Sequence, residues 1–297
     1  MQHAHAQVCV DGGMSETDPF HSQRLGIIAG AGLFPLMVVD GAIQAGRHVT
    51  VIGLRGLADG RLARCAHRFH WARLTALGRW IRILKRNRIS RVILAGSVTK
   101  AAMYGRLSIL RLLPDLTALR FWLLALPDKR NDTILSALAD EFERHGIVME
   151  KCVQYSEQHL APEGVLGRCQ PSSAQLRDLD FGWKIAKEIG RLDIGQAIAV
   201  KETEVIAVEA IEGTDYMIER AGRLCRRGGW TLIKVAKPSQ DMRFDVPTVG
   251  PGTIALLKEH GAKMLVIEAG MTVIIDRVKM IADADAAGVV VLARCEG

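Results

Sequence analysis

Three carboxylates, Glu209, Glu212 and Asp215, fall within the stretch AVEAIEGTDYM (207–217) of this 297-residue chain. Carboxylates at that density can hold a divalent cation or activate a water. The same spacing suits a helix start, where Thr214 or Asp215 would cap backbone N–H groups and do no chemistry. The spacing alone leaves both readings open. A second polar group follows in KVAKPSQDMRFDVPTVG (234–250), a proline-punctuated segment carrying Lys234, Lys237, Gln240, Asp241, Arg243 and Asp245. Long polar loops tend to carry function, although a solvated connection is the plain alternative.

Two glycine-containing turns complete the set. Gly30-Ala31-Gly32 lies between an apolar run and an apolar helix pattern, where backbone N–H groups and a helix N-terminus can face a phosphate. It is only part of a dinucleotide fingerprint: Pro35 replaces the third glycine, and the second strand ends in Leu54-Arg55 with no acid for a ribose. A plain tight turn fits it as well. AGSVTK (95–100) follows a later strand, with Lys100 able to neutralise a phosphate or to be an ordinary surface lysine. There is no P-loop, no GxSxG elbow and no histidine-based triad.

The elements that must position these residues alternate. RLGIIA, HVTVIGL (48–54) and RVILAG (91–96) read as buried strands, with helices over 33–45, 79–89 and 132–146 between and after them. IVMEKC (147–152) closes that half. Such alternation predicts a parallel sheet covered on both faces, a Rossmann-like arrangement. The second half restarts with a helix over 178–193, then two strands joined at Glu202-Thr203, a helix over 213–225, and alternating strands and helices to residue 295. The expected organisation is a flexible leader over 1–23, a Rossmann-like domain over 24–152, a linker over 153–178, and a distinct α/β domain over 179–297, which the family resemblance given below makes catalytic, with the ligand crevice between the domains.

Composition narrows the function classes. Apolar residues make up 49% and charged residues 24%, which excludes disorder for the bulk of the chain. No apolar run approaches the roughly 20 residues of a bilayer span. The net charge of +7 suits an anionic partner, and its excess lies before residue 130. Aromatics at 5% argue against nucleic acid. The six cysteines lack metal or disulfide spacing and read as reduced cytoplasmic thiols.

LGIIAGAGLFP, AGSVTK, APEGVLG, IAKEIGRLDIGQA, VEAIEGTDYMIERAG, KVAKPSQDMRFDVPTVGPGTI and EAGMTVIIDR occur here in one order. Together they resemble the UDP-2,3-diacylglucosamine diphosphatases of lipid A synthesis that lack a metallophosphoesterase fold. The resemblance covers about residues 24–295. It implies a Rossmann-like domain and a second domain with substrate between them, and hydrolysis of the pyrophosphate of UDP-2,3-diacylglucosamine to UMP and 2,3-diacylglucosamine 1-phosphate. It implies Mg²⁺ dependence and places the essential aspartate of the EGTD motif on Asp215, which is also the candidate metal ligand. Departures fall at Ser97, where the family has Lys or Asn, at Ala161, and over 128–133, where only Asp132 of an acidic pair remains. With the resemblance, the N-terminal substrate contacts expected are Gly30, Ala31, Gly32, Ser97, Lys100 and Asp132. Those expected of the C-terminal half are Thr214, Lys237, Gln240 and Arg243.

An amphiphilic substrate implies a cytoplasmic protein that touches the membrane surface transiently, and SILRLLPDLTALRFWLLALP (108–127) is a candidate for the acyl chains or a buried helix pair. Homo-oligomer formation is left open. Three other functions stay open at this point: a nicotinamide-dependent oxidoreductase, a non-catalytic protein binding a nucleotide sugar or acidic lipid, and RNA or membrane binding through the basic helix over 79–91, which would be strongly salt-dependent.

Overall fold

In a computed structural model, the described residues are 23–98, 115–120, 131–238, 243 and 246–295. Strand β1 (Arg24–Ala29) is buried along five of its six residues, and helix α1 (Phe34–Gln44) starts with Pro35 in its first turn. Pro35 loses no hydrogen bond there. Then follow β2 (His48–Leu54), α2 (Leu62–Cys65), β3 (Arg68–Ala72), α3 (Leu77–Arg86), β4 (Arg91–Ala95), α4 (Leu116–Arg120), α5 (Asn131–Arg144) and β5 (Val148–Met149). The sheet runs β3-β2-β1-β4-β5, and every pairing is parallel. Strand β3 was not expected from the sequence. It pairs with one neighbour only, so its alternating Arg-Phe-His-Trp-Ala pattern never needs the continuous apolar run that marks a central strand.

The second sheet collects β6 (Gly164–Val165), β7 (Ala197–Lys201), β8 (Glu204–Val208), β9 (Trp230–Lys234), β11 (Ala262–Glu268) and β13 (Val290–Arg294) in the order β6-β13-β11-β9-β7-β8. Strands β9, β11 and β13 are parallel; β6 and β7 run against their neighbours. Helix α6 (Ser173–Arg191) covers one face, and α7 (Thr214–Leu224), α8 (Pro251–Glu259) and α9 (Arg277–Ala287) cover the other. Two short strands, β10 (Thr248–Val249) and β12 (Val273–Ile274), pair in parallel by themselves. The fold is therefore α/β throughout, a parallel sheet beside a mixed one.

Helix α6 begins five residues earlier than the sequence reading placed it. Ser172 and Gln175 form a reciprocal capping box, satisfying two N–H groups that would otherwise face solvent unpaired. The connection over 153–178 thus contains β6 and the first turns of α6, and Val153 and Tyr155 pack in the N-terminal core. The β7–β8 turn falls at Glu202-Thr203 as expected. Both have positive φ, 53° and 58°, the geometry that matches the twist of a two-residue hairpin. The buried carboxylate of Asp178 accepts the Thr203 N–H at 2.7 Å and holds that turn.

Chain from the second half reaches the first. Val246 and Val273 are buried in the same cluster as Leu25, Phe34, Val38 and Tyr155. Leu160 bridges Val273, and the Ala161 N–H donates to Thr272 O at 2.8 Å. Val246 and Val273 thus pack against residues of α1.

Candidate functional site

The first sheet reverses its strand order between β1 and β4, which is where ligands sit in open α/β sheets, beyond the carboxyl ends of the strands. The Gly30–Gly32 turn and Ser97 meet there as an antiparallel bridge. Ala31 N–H donates to Ser97 O at 2.9 Å, Ser97 N–H to Ala31 O at 3.0 Å, and Gly30 N–H to Ala95 O at 2.8 Å. A Cβ on Gly30 would lie 2.7 Å from Ser97 O, and one on Gly96 2.6 Å from Ala31 O. These glycines let two loops touch. The backbone donors expected of Gly30 and Ala31 are consequently spent inside the protein. Gly32, exposed and at φ 94°, and the start of α1, which has no side-chain cap, are what this turn presents to solvent. Ser97 is exposed beside them.

The carboxylates at 209–215 divide by role. Glu209 is 7% exposed and directly follows β8. Its oxygens accept the Thr214 hydroxyl at 2.9 Å and the Gln196 N–H at 3.3 Å. Glu212 accepts Arg220 Nη2 at 2.6 Å and the Ala210 N–H at 3.2 Å. Burial pushes the Glu212 carboxyl up, but the backbone N–H groups and the Arg220 guanidinium outweigh it and hold its pKa below the usual range. Asp215 is exposed in the first turn of α7 and has no hydrogen-bonding partner among the described residues. The capping alternative fails for both candidates: Gly213, at φ 90°, is the N-cap, and no side chain caps α7. Thr214 fastens the turn to Glu209 instead. The result is a rigid, hydrogen-bonded loop that presents one uncommitted carboxylate at a positive helix end.

The strand ends of the second sheet add a buried charge network of which sequence reasoning singled out only Lys234. Glu268, 3% exposed at the end of β11, accepts Lys187 Nζ at 3.1 and 3.2 Å and the Ala236 N–H at 2.8 Å. Lys234 Nζ donates to Thr248 O at 3.1 Å. Each tethers the segment after β9. The available signal was an acid closing an otherwise apolar strand, in VIEAG. Lys237 is not the free phosphate cation expected: its side chain is 10% exposed and its ammonium pairs with Asp193. Arg243 is half-buried. Lys100 and Gln240, the leader up to residue 22 and most of 108–127 lie outside the described residues; of Asp132 only the backbone, in α5, is described. The described piece of 108–127 contains a short helix whose Ala118 is buried on the first sheet.

Among the described residues no three His, Cys, Asp or Glu side chains converge as a metal cage. Mg²⁺ seldom uses one; it commonly keeps waters and takes one or two carboxylates plus substrate phosphates. The single uncommitted Asp215 fits that mode.

Two family models match the chain, the LpxI N-terminal domain over residues 24–159 and the LpxI C-terminal domain over 162–292. A Caulobacter vibrioides protein named UDP-2,3-diacylglucosamine pyrophosphatase LpxI is 35% identical over 280 residues, which cover 91% of this chain and 97% of that one.

Proposed function

The chain belongs to the LpxI family, and from that membership we propose that it hydrolyses the pyrophosphate of UDP-2,3-diacylglucosamine, yielding UMP and 2,3-diacylglucosamine 1-phosphate in lipid A biosynthesis. The observation that carries the reading is 35% identity, over nearly the full length, to a protein of that name, with EGTD held in a hydrogen-bonded turn. The nicotinamide and non-catalytic readings give way to it.

Cleaving a pyrophosphate requires neutralised phosphate oxygens and an oriented water. In our reading Asp215 performs the orienting, either on the water itself or by holding Mg²⁺ together with substrate phosphates. Mg²⁺, when bound, supplies charge neutralisation on the phosphate oxygens and acidifies a coordinated water. The Glu209–Thr214 and Glu212–Arg220 contacts keep Asp215 in place. The substrate lies toward the strand ends that carry Gly32 and Ser97.

No helix among the described residues is long and apolar enough to cross a membrane. The six cysteines follow no disulfide spacing, which supports a reducing compartment. We place the protein in the cytoplasm, in transient contact with the membrane that holds its acylated substrate.

The test is product analysis by mass spectrometry with wild type and Asp215→Asn, each with and without a Mg²⁺ chelator. UMP and the sugar phosphate form with wild type and Mg²⁺. The variant loses turnover by about 10²–10⁴-fold, the usual contribution of such a group, with its thermal midpoint unchanged. A variant of near-normal turnover would remove Asp215 from the chemistry.

A further inference from the structure

We propose that the outer arc of α3, with the arginines flanking it, is the surface by which this protein lies on an anionic lipid bilayer. The proposal rests on the reading above, in which the substrate is held in a membrane by two acyl chains.

Residues 24–98 carry 13 Lys+Arg and two Asp, a net of +11, against +7 for the whole chain; everything else nets −4. The charge is concentrated at α3. Leu77, Trp80, Ile81 and Leu84 bury one arc of this helix in the first sheet's core. Arg79, Arg82, Lys85 and Arg86 occupy the opposite arc and are exposed, as are Arg73 before it and Arg88 after it. None of these six forms an ion pair among the described residues; Lys85 meets only the ring nitrogen of His145, at 3.3 Å. Nearby acids are engaged elsewhere. Asp115 accepts the backbone N–H groups of Arg79 and Ala118, and Glu141 pairs with Arg144 and His145. Unneutralised cations on one convex arc repel one another and are stabilised by an external sheet of negative charge.

The arc also points the right way. The core under α3 holds only residues from 28 to 149, whereas Val246 and Val273 of the second half pack into the cluster on the other face of the sheet. Contact through α3 would leave the second domain free. A polynucleotide fits less well. Trp80 is buried, and no exposed aromatic stands on this arc for bases to stack on. Adsorption through these charges is electrostatic, so it should weaken as salt shortens the screening length.

The experiment uses the full chain in vesicle co-sedimentation, with phosphatidylglycerol-containing and pure phosphatidylcholine vesicles, at low and high salt. Two variants accompany it: Arg79→Gln/Arg82→Gln/Arg86→Gln, and the same three positions changed to Glu. Circular dichroism and thermal melting check that both fold; the side chains are exposed and the backbone donors remain. Each basic group near an anionic surface contributes about fivefold in partitioning, so losing three should cost about a hundredfold. Hydrolysis of detergent-dispersed substrate should stay within about twofold, since these residues lie outside the EGTD turn and the strand ends.

Vesicle binding unchanged in a folded triple variant overturns the proposal. So do equal binding to neutral vesicles, no sedimentation of wild type with anionic vesicles, and displacement from them by single-stranded DNA at equal phosphate. If wild type binds anionic vesicles through α3 yet releases no UMP, the hydrolase reading fails and the surface stands. If it hydrolyses dispersed substrate but ignores vesicles, the surface fails and the hydrolase reading stands.

Discussion

Replacing Glu268 by alanine tests whether the charge network beneath the site holds the segment after β9. The carboxylate is 3% exposed, and Lys187, its partner at 3.1 Å, has a side chain 12% exposed. Removing the acid takes one charge partner from a largely buried ammonium, which keeps the Ala236 carbonyl at 3.4 Å, and takes the acceptor from the Ala236 N–H. Breaking a buried pair from one side costs about 3–5 kcal/mol, mostly as the penalty on the charge left behind. That is a large share of the ~5–15 kcal/mol stability of a typical domain. Glu268→Gln keeps an acceptor for Ala236 and should lose less. Lys187→Met/Glu268→Leu removes both charges of this pair and should lose less than Glu268→Ala, because the pair's desolvation cost disappears with them. Urea unfolding of wild type, both singles and the double closes a cycle, with the slope checked so that a second transition is not mistaken for lost stability. A loss below about 1 kcal/mol for Glu268→Ala, a value typical of exposed pairs, would refute the reasoning. So would a double variant no more stable than the single.

The remaining predictions concern the EGTD turn. A Cβ on Gly195 would sit 2.1 Å from the Glu209 carbonyl oxygen, a backbone atom; Gly195→Ala should cost about 1–3 kcal/mol by overpacking and lower turnover, and a variant with wild-type melting and rate would contradict the close approach. Thr214→Val leaves the buried Glu209 one donor short and should destabilise by about 1–3 kcal/mol, with Thr214→Ser recovering most of it in the same urea assay. Arg220→Met removes a cation that lowers the Glu212 pKa. A depressed carboxyl contributes stability that is present above its unfolded pKa and lost as pH falls through its folded one. The gap in urea midpoint between wild type and Arg220→Met should therefore be widest near neutrality and close as pH drops through the folded Glu212 pKa; a gap constant with pH would sink the idea.

Much of the fold was legible because local chemistry carried it. The apolar run before Gly30, with Pro35 just inside the next helix, announces strand, turn and helix whatever surrounds them. The turn at Glu202-Thr203 and the strands flanking it were readable from the break in an apolar run. Family motifs spread along the chain pointed to the reaction before any geometry was known. Less legible were β3, whose edge position excuses it from a core strand's pattern, and the start of α6, whose capping box is a three-residue signal inside a proline-rich stretch.

What the sequence could not determine is which polar groups remain unspent. Gly30 and Ala31 look like phosphate donors until Ser97, over sixty residues later, accepts one of their N–H groups. Lys237 looks like a phosphate cation until Asp193 takes it. Glu209, Glu212 and Asp215 look equivalent, yet partners at 196, 214 and 220 commit the first two and leave the third. Local sequence sets the inventory of donors, acceptors and charges. Which of them find partners inside depends on contacts between distant segments. A polar group bonded within the protein has less left to offer a substrate, so the resemblance pointed to Asp215 while the tertiary structure supplied the physical reason, the commitment of its neighbours.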